Sequence, residues 1–288
     1  MDDTVPTDYE DFMRLVHERH DGMSKTYQHI ALYLTQNTNE VAVRSLNAIA
    51  KDSGVHASSF VRFSQSLGFG GFKDLQHLFK ARLTTAAPGF TARQAALTSE
   101  LSRPEVVEGG SFLEQLVTRD QASLQELLEL TRQTDLDRAA QVLNKAETIY
   151  LIGQLRSAPV SELFRYILTM LGKKAVLLDA SGGLSTHMSR VLSSSDALVA
   201  ISFRFYANEV VNIVEEVGQK QIPIIGISDS TLSPIAKYSN PLFVIPEREY
   251  VFSRSLAAPV CLAQAILLSL AALQQGQSEP RIPTVTTA

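Results

Sequence analysis

The sequence predicts two unlike domains in one chain, a small all-α domain followed by a doubly wound α/β domain built on a parallel sheet. Three observations predict it. Residues 9–83 carry apolar side chains at helical spacing with no strand-like alternation. From Thr148 onward, short continuous apolar runs alternate with helical patterns, as expected of strands buried on both faces and joined by right-handed crossover helices. Between them, residues 84–110 (TTAAPGFTARQAALTSELSRPEVVEGG) are rich in small residues, proline and glycine. That composition reads as a linker, with room for a short helix around Ala92–Leu101.

The second domain is expected over 111–275. Two amphipathic helices, Ser111–Arg132 and Leu136–Lys145, lead into strands at Thr148–Ile152, Ala175–Leu178, Ala197–Ile201, Ile222–Ile227 and Leu242–Ile245. Helices are expected between them at Ser157–Leu171, Leu184–Leu192 and Ala207–Gln219. A last helix, Ser255–Gln274, closes the domain, and the polar residues 276–288 read as a frayed tail. No internal repeat is visible.

Composition narrows the class. With 288 residues, 45% hydrophobic and 19% charged, and a mean hydropathy of +0.03, the chain has the make-up of two ordinary domains. A single cysteine, Cys261, excludes an internal disulfide framework and any multi-cysteine metal site, and fits a reducing compartment such as the cytoplasm. The acidic start MDDTVPTDYEDF is unlike a signal peptide, and the apolar stretch Leu256–Leu273 is interrupted by Pro259 and Gln264, so no membrane span is expected.

The net charge of -4 hides a local reversal. Ser24–Leu83 holds seven basic residues (Lys25, Arg44, Lys51, Arg62, Lys73, Lys80, Arg82) against Glu40, Asp52 and Asp74, a net +4 that leaves -8 elsewhere. A basic module on an acidic body points to nucleic acid; charge scattered over solvated faces is the other reading.

The stretch from Ser45 to Phe63 is the most informative. Ser45 can cap a helix whose inner face carries Leu46, Ile49 and Ala50, Gly54 supplies a tight turn, and a second helix from about Ala57 to Leu67 turns Phe60 and Phe63 inward. A helix-turn-helix needs this spacing, although a plain helical hairpin would share it. On the second helix His56, Ala57, Ser58, Ser59 and Arg62 face outward, with hydroxyls and a guanidinium suited to phosphates and base edges. Ser45, Lys51 and Lys73 complete the expected DNA-contacting set.

Residues Met23–Leu83 resemble the N-terminal domain of the RpiR family of bacterial transcriptional regulators, most specifically in the run from Val61 to Phe72 with its Leu67-Gly68-Phe69-Gly70-Gly71-Phe72. One departure stands out. The family usually has a small hydroxyl residue after Gly54-Val55, and here it is His56, so Ser58 or a shifted helix start is expected to take over the cap.

Such regulators join this head to a SIS (sugar isomerase) domain, and Thr148–Glu247 resembles one. In an open α/β sheet, ligands bind at the carboxyl ends of strands, where free amides and helix dipoles attract anions. The resemblance implies a sugar-phosphate cradle there, Gly-x-Gly-x-Ser after the first strand and Ser-x-Ser-Gly-x-Thr after the third. Gly153, Ser157 and Ser202 match; Leu155, Arg204, Phe205 and Ala207 do not. Both altered loops carry an arginine, Arg156 and Arg204, able to replace hydroxyl contacts by bidentate bonds to a phosphate or carboxylate. Pairing of these arginines with acids at a dimer interface is the alternative. Asp229 and Ser230 follow the fourth strand as ligand candidates or as turn residues; Ser181-Gly182-Gly183 is a further loop element.

Catalysis is not indicated. A SIS isomerase pairs Glu with His, whereas this half has only His187, and Glu209, Glu215 and Glu216 have no evident His partner. No dinucleotide fingerprint, P-loop, zinc helix or nucleophile elbow is present, since Gly172-Lys173-Lys174 and His17-Glu18-Arg19-His20 have the wrong context or spacing. No cofactor or metal is expected. The reading is a cytoplasmic regulator that binds a palindromic operator as a homodimer or homotetramer, answers a small anionic metabolite through the linker, and acts by repression by default. A sugar-phosphate isomerase or binding protein with a vestigial head is the alternative.

Overall fold

In the computed structural model of the chain, residues 5–84, 111–179, 183–204, 206–246 and 255–278 are described, together with 94 and 98. Most of the expected linker with its short helix, Ser181-Gly182, Phe205 and the tail beyond Ser278 lie outside them.

The head is helical throughout. It comprises α1 (Tyr9–Arg19), α2 (Lys25–Gln36), α3 (Thr38–Val43), α4 (Leu46–Ser53), α5 (Ala57–Ser66) and α6 (Phe72–Thr84). Side-chain caps set the starts. Asp8, Ser24 and Ser45 each accept from an amide in the first turn of α1, α2 and α4, satisfying donors a helix leaves orphaned. Helical spacing puts Phe12, Met13 and Val16, then Ile30, Ala31 and Leu34, then Ile49, Phe60 and Phe63 into one core. Edge-to-face rings fill it, with Phe60 5.7 Å from Phe72 and 6.3 Å from Tyr33, and Tyr27 5.4 Å from Phe63.

The body begins with α7 (Phe112–Leu130) and α8 (Gln133–Lys145), then alternates β1 (Thr148–Gly153), α9 (Ala158–Met170), β2 (Lys174–Leu177), α10 (Ser185–Ser189), β3 (Ala197–Ser202), α11 (Asn208–Gln219), β4 (Ile224–Ser228) and β5 (Leu242–Val244) before α12 (Ala257–Ser278). The five strands are parallel in the order β2-β1-β3-β4-β5. The chain therefore reverses its winding between β1 and β3, where a crevice for ligands opens at the strands' carboxyl ends. The central strands β3 and β4 are buried at every residue. That explains their unbroken apolar texture, because helices cover both faces.

The last helix corrects one expectation. Pro259 does not interrupt it; as the third residue of α12 it sits in the first turn, where its missing N–H costs nothing. The helix is long and apolar enough to cross a membrane by length and composition alone. Here Ala258, Leu262, Ala263, Ile266, Leu267 and Leu270 lie buried in the body's core.

A second correction concerns the connection of the two domains. The head's core continues into the body, where Tyr206, Val211 and Leu232 join the cluster of Phe12, Leu34 and Phe79. Hydrogen bonds rim this seam: Gln36 Nε2 donates to the Thr231 carbonyl (3.0 Å), Asn39 Nδ2 to Asn212 Oδ1 (2.8 Å) and Glu215 Oε2 (3.2 Å), and Lys237 Nζ to Asn37 Oδ1 (2.6 Å). Communication between the domains thus has a direct route besides the linker.

Candidate functional site

Gly54 closes α4 in the left-handed conformation (φ +70°), and after Val55 and His56 the chain enters α5. Phe60 and Phe63 point inward and are fully buried, which turns the opposite face of α5 outward. Lys51, His56, Ser58, Arg62 and Lys73 are exposed, and Ala57 and Ser59 are half-buried. Ser45 is exposed too, with its hydroxyl engaged as the cap of α4 (3.3 Å to Ala48 N). His56 occupies the N-cap of α5 and no side chain caps that helix, so neither Ser58 nor a shifted start replaces the family's hydroxyl. Without a side-chain cap, the first amides of α5 are left for an outside acceptor, a disposition suited to backbone phosphates.

The structure also refines the charge count. Arg44 is held by Glu40 (2.6 Å) and Asp52 (3.0 Å), and Asp52 in turn accepts from Tyr33 Oη (3.0 Å); those bonds from Tyr33 and Arg44 hold its carboxyl below the usual range. Arg82 is buried in the seam at 4% exposure. Lys25, Lys51, Arg62, Lys73 and Lys80 remain exposed on the head.

At the sheet edge, Gly153 ends β1 with no space for a side chain. A Cβ there would run into Ser161 Oγ and lie 3.0 Å from the Ser157 carbonyl. Leu155 occupies the position of the family's second glycine and keeps a left-handed backbone, φ 57°, at a cost of about 1 kcal/mol. Leu155 thus adopts a conformation that glycine takes freely. Ser157 and Ser202 are buried close to the crevice. The Arg156 guanidinium stacks 4.5 Å over the Phe203 ring, so β1 and β3 loops meet through a cation–π contact.

Gln154 and Ser185, neither a candidate from the sequence, meet Glu209, considered there only as a catalytic acid, at the switch point. The two carboxylate oxygens of Glu209, in the first turn of α11, accept from Gln154 Nε2 and Ser185 Oγ. This joins the loops after β1 and β2 to the helix after β3. The signal for Glu209 in the sequence is its acidic side chain in the first turn of a helix.

The remaining candidates are differently employed. Asp229 accepts from the Arg204 amide (2.9 Å, Oδ2) and Tyr206 Oη (2.8 Å, Oδ1), and Ser230 Oγ accepts from Leu232 N within its own turn (2.9 Å). Burial and the adjoining Asp229 carboxylate raise the Tyr206 phenol well above its usual pKa, keeping it a donor. Among the described residues no group of three His, Cys, Asp or Glu is placed to hold a metal.

Comparison with known proteins matches these two halves separately. The helix-turn-helix domain of the rpiR family matches residues 11–86, and the SIS domain matches residues 142–274. An uncharacterized HTH-type transcriptional regulator of Escherichia coli, YfhH, is 28% identical over 268 residues, 88% of each chain. A second such regulator from Clostridium perfringens is 24% identical over 232 residues, covering 80% of this chain and 79% of its own. Among solved structures, the Vibrio vulnificus NanR protein complexed with ManNAc-6P superposes with a TM-score of 0.56 at 19% identity, over 92% of both chains. The sugar isomerase domain of an RpiR transcription factor from Sphaerobacter thermophilus gives 0.55 at 21% identity, covering 58% of this chain and 94% of its own. Fold, reading helices and these likenesses together define a DNA-binding transcriptional regulator with a C-terminal SIS domain. The chain joins an rpiR-family helix-turn-helix domain to a SIS domain.

Proposed function

We propose that the protein represses genes of carbohydrate or related catabolism by binding a two-fold operator, and that a small anionic metabolite of the sugar phosphate or sugar acid class controls it at the carboxyl edge of the sheet. The observation that carries this reading is the outward-turned face of α5 opposite the buried Phe60 and Phe63; on it we assign His56, Ala57, Ser58, Ser59 and Arg62 to DNA, and we assign Gly153, Arg156, Ser157 and Ser202, at the carboxyl ends of β1 and β3, to the effector. Ser45, Lys51 and Lys73 flank the reading helix as phosphate contacts. Arg204, Asp229 and Ser230 border the crevice on its β4 side. The fold neighbour from V. vulnificus carries ManNAc-6P, a ligand of the proposed class.

A two-fold operator needs two heads, so the working form is a homodimer or homotetramer in the cytoplasm. The N-terminal half of α7 leaves Phe112, Leu113 and Val117 at 63, 68 and 46% exposure, an apolar face fitted to a second copy. No catalysis is required of the sheet edge. A sugar-phosphate isomerase is the second reading, and Glu209 at the switch point is the residue that favours it; turnover of a phosphosugar by the purified protein would establish it.

A mobility shift on the gene's own upstream DNA at two salt concentrations tests the regulator. Specific retardation that weakens steeply with salt is expected, and its absence would overturn the reading. Arg62→Ala is expected to weaken operator binding about tenfold or more with an unchanged melting temperature.

A further inference from the structure

The head rests on the same loops that border the proposed effector crevice. Tyr206, at 1% exposure, enters the head's core from the β3–α11 loop. Its hydroxyl donates to Asp229, whose other oxygen holds the Arg204 amide. From the head side, Arg82 Nη2 donates to the Tyr206 carbonyl (2.8 Å), its guanidinium lies 4.7 Å over the Tyr9 ring, and Asn208 Nδ2 returns a bond to the Arg82 carbonyl (2.9 Å). Glu10 of α1 completes the cluster at 5% exposure, with neither carboxylate oxygen hydrogen-bonded. The charges acting on it are the attractive ones of Arg82 and Arg204 and the repulsive ones of Asp8 and Asp229.

Head and body thus each place one cation and one anion in the seam: Arg82 and Glu10 from the head, Arg204 and Asp229 from the body. Above about pH 7, where Glu10 ionises, the four charges balance. An anion arriving at Arg204 would upset that balance, because Glu10 and Asp229 would then face a further negative charge where little water screens it.

We propose that the anionic effector and the docked head compete for Arg204, so that effector binding releases α1 and α6 from the β3–α11 and β4 loops. This rests on the reading of Arg204 as an effector contact. Coupling between two sites is reciprocal, so any change that loosens docking must tighten anion binding. An effector that shifts the head must also bind the two arrangements unequally, and shared use of Arg204 supplies that difference.

The test uses the full-length protein and inorganic phosphate as probe, with affinity from calorimetric titration and head docking from hydrogen exchange of the α1 and α6 amides. Phosphate is expected to raise exchange in both helices. At pH 8, where Glu10 is ionised, Glu10→Gln, which removes an anion near Arg204, and Asn39→Ala, which loosens the far end of the seam at Asn212 and Glu215, are each expected to tighten phosphate by about fivefold or more. Should Glu10→Gln fail to fold, Asn39→Ala decides alone. Phosphate binding that is unchanged by the seam variants and leaves exchange unaltered would overturn the competition while sparing the effector site. Binding of undiminished strength to Arg204→Ala, or no binding by the wild type, would overturn the assignment of Arg204 and the competition with it.

Discussion

Phe60→Ala is expected to abolish operator binding by unfolding the head, with a loss of about 3–5 kcal/mol. Phe60 is fully buried and meets Phe72 and Tyr33 edge to face, so truncation removes ring contacts from three helices at once. The cavity cannot collapse easily, because α5 is also held on the same inward face, one turn on, by Phe63 against Tyr27. A loss of that size approaches the whole stability of a small domain. Thermal unfolding followed by circular dichroism should show an early helical transition in the variant, and the mobility shift should vanish with it. Arg62, two residues along on the exposed face of the same helix, separates folding from reading, since its removal should weaken the complex and leave the transition in place. A Phe60→Ala protein that melts like the wild type would contradict the packing described for α5.

Local pattern explains which parts of this architecture are legible in the sequence. The five strands are recognisable because each is a short run of apolar residues, and their burial from both faces leaves no polar alternation to confuse them. The helix-turn-helix is legible because Ser45, Gly54, Phe60 and Phe63 have fixed offsets from one turn. The seam between head and body has no such signature. Its hydrogen bonds join residues 124 to 200 positions apart, and they are made by Gln36, Asn37, Asn39 and main-chain carbonyls, groups that look like ordinary surface until the domains meet. Arg82 illustrates the cost, since it counts toward a basic, DNA-facing head in the sequence and is buried against Tyr9 and Tyr206 in the fold. The sheet edge is intermediate. Gly153, Ser157 and Ser202 are found by position after their strands, whereas Gln154, Ser185 and Glu209 come together only through the order β2-β1-β3.

The burial of Glu10 predicts a pH dependence of opposite sign to that of an ordinary paired carboxylate. Desolvation, only partly offset by the cations of Arg82 and Arg204, pushes its carboxyl up to about 7 from the usual 4.5. The folded protein therefore holds this proton more tightly than the unfolded chain does. Stability from this residue is full below about pH 4.5, where both states are protonated, and is lost as the pH rises through 7, where the folded state must carry a buried carboxylate. Over that window the loss amounts to about 3 kcal/mol. Other carboxylates have their own dependence, so the quantity to measure is the difference between wild type and Glu10→Gln, by urea denaturation at pH 5, 6, 7 and 8. Gln cannot ionise, and the variant should gain on the wild type mainly between pH 5 and 7 and level off toward pH 8, by about 2–3 kcal/mol in all. A difference that stays flat, or that shrinks toward pH 8, would show that Glu10 is already ionised and compensated in the seam by Arg82 and Arg204. The same ionisation adds a negative charge that Asp229 repels and that must be carried with little water to solvate it. Hydrogen exchange in α1 should therefore accelerate between pH 6 and 8 beyond its intrinsic chemical rise, and Glu10→Gln should remove that excess.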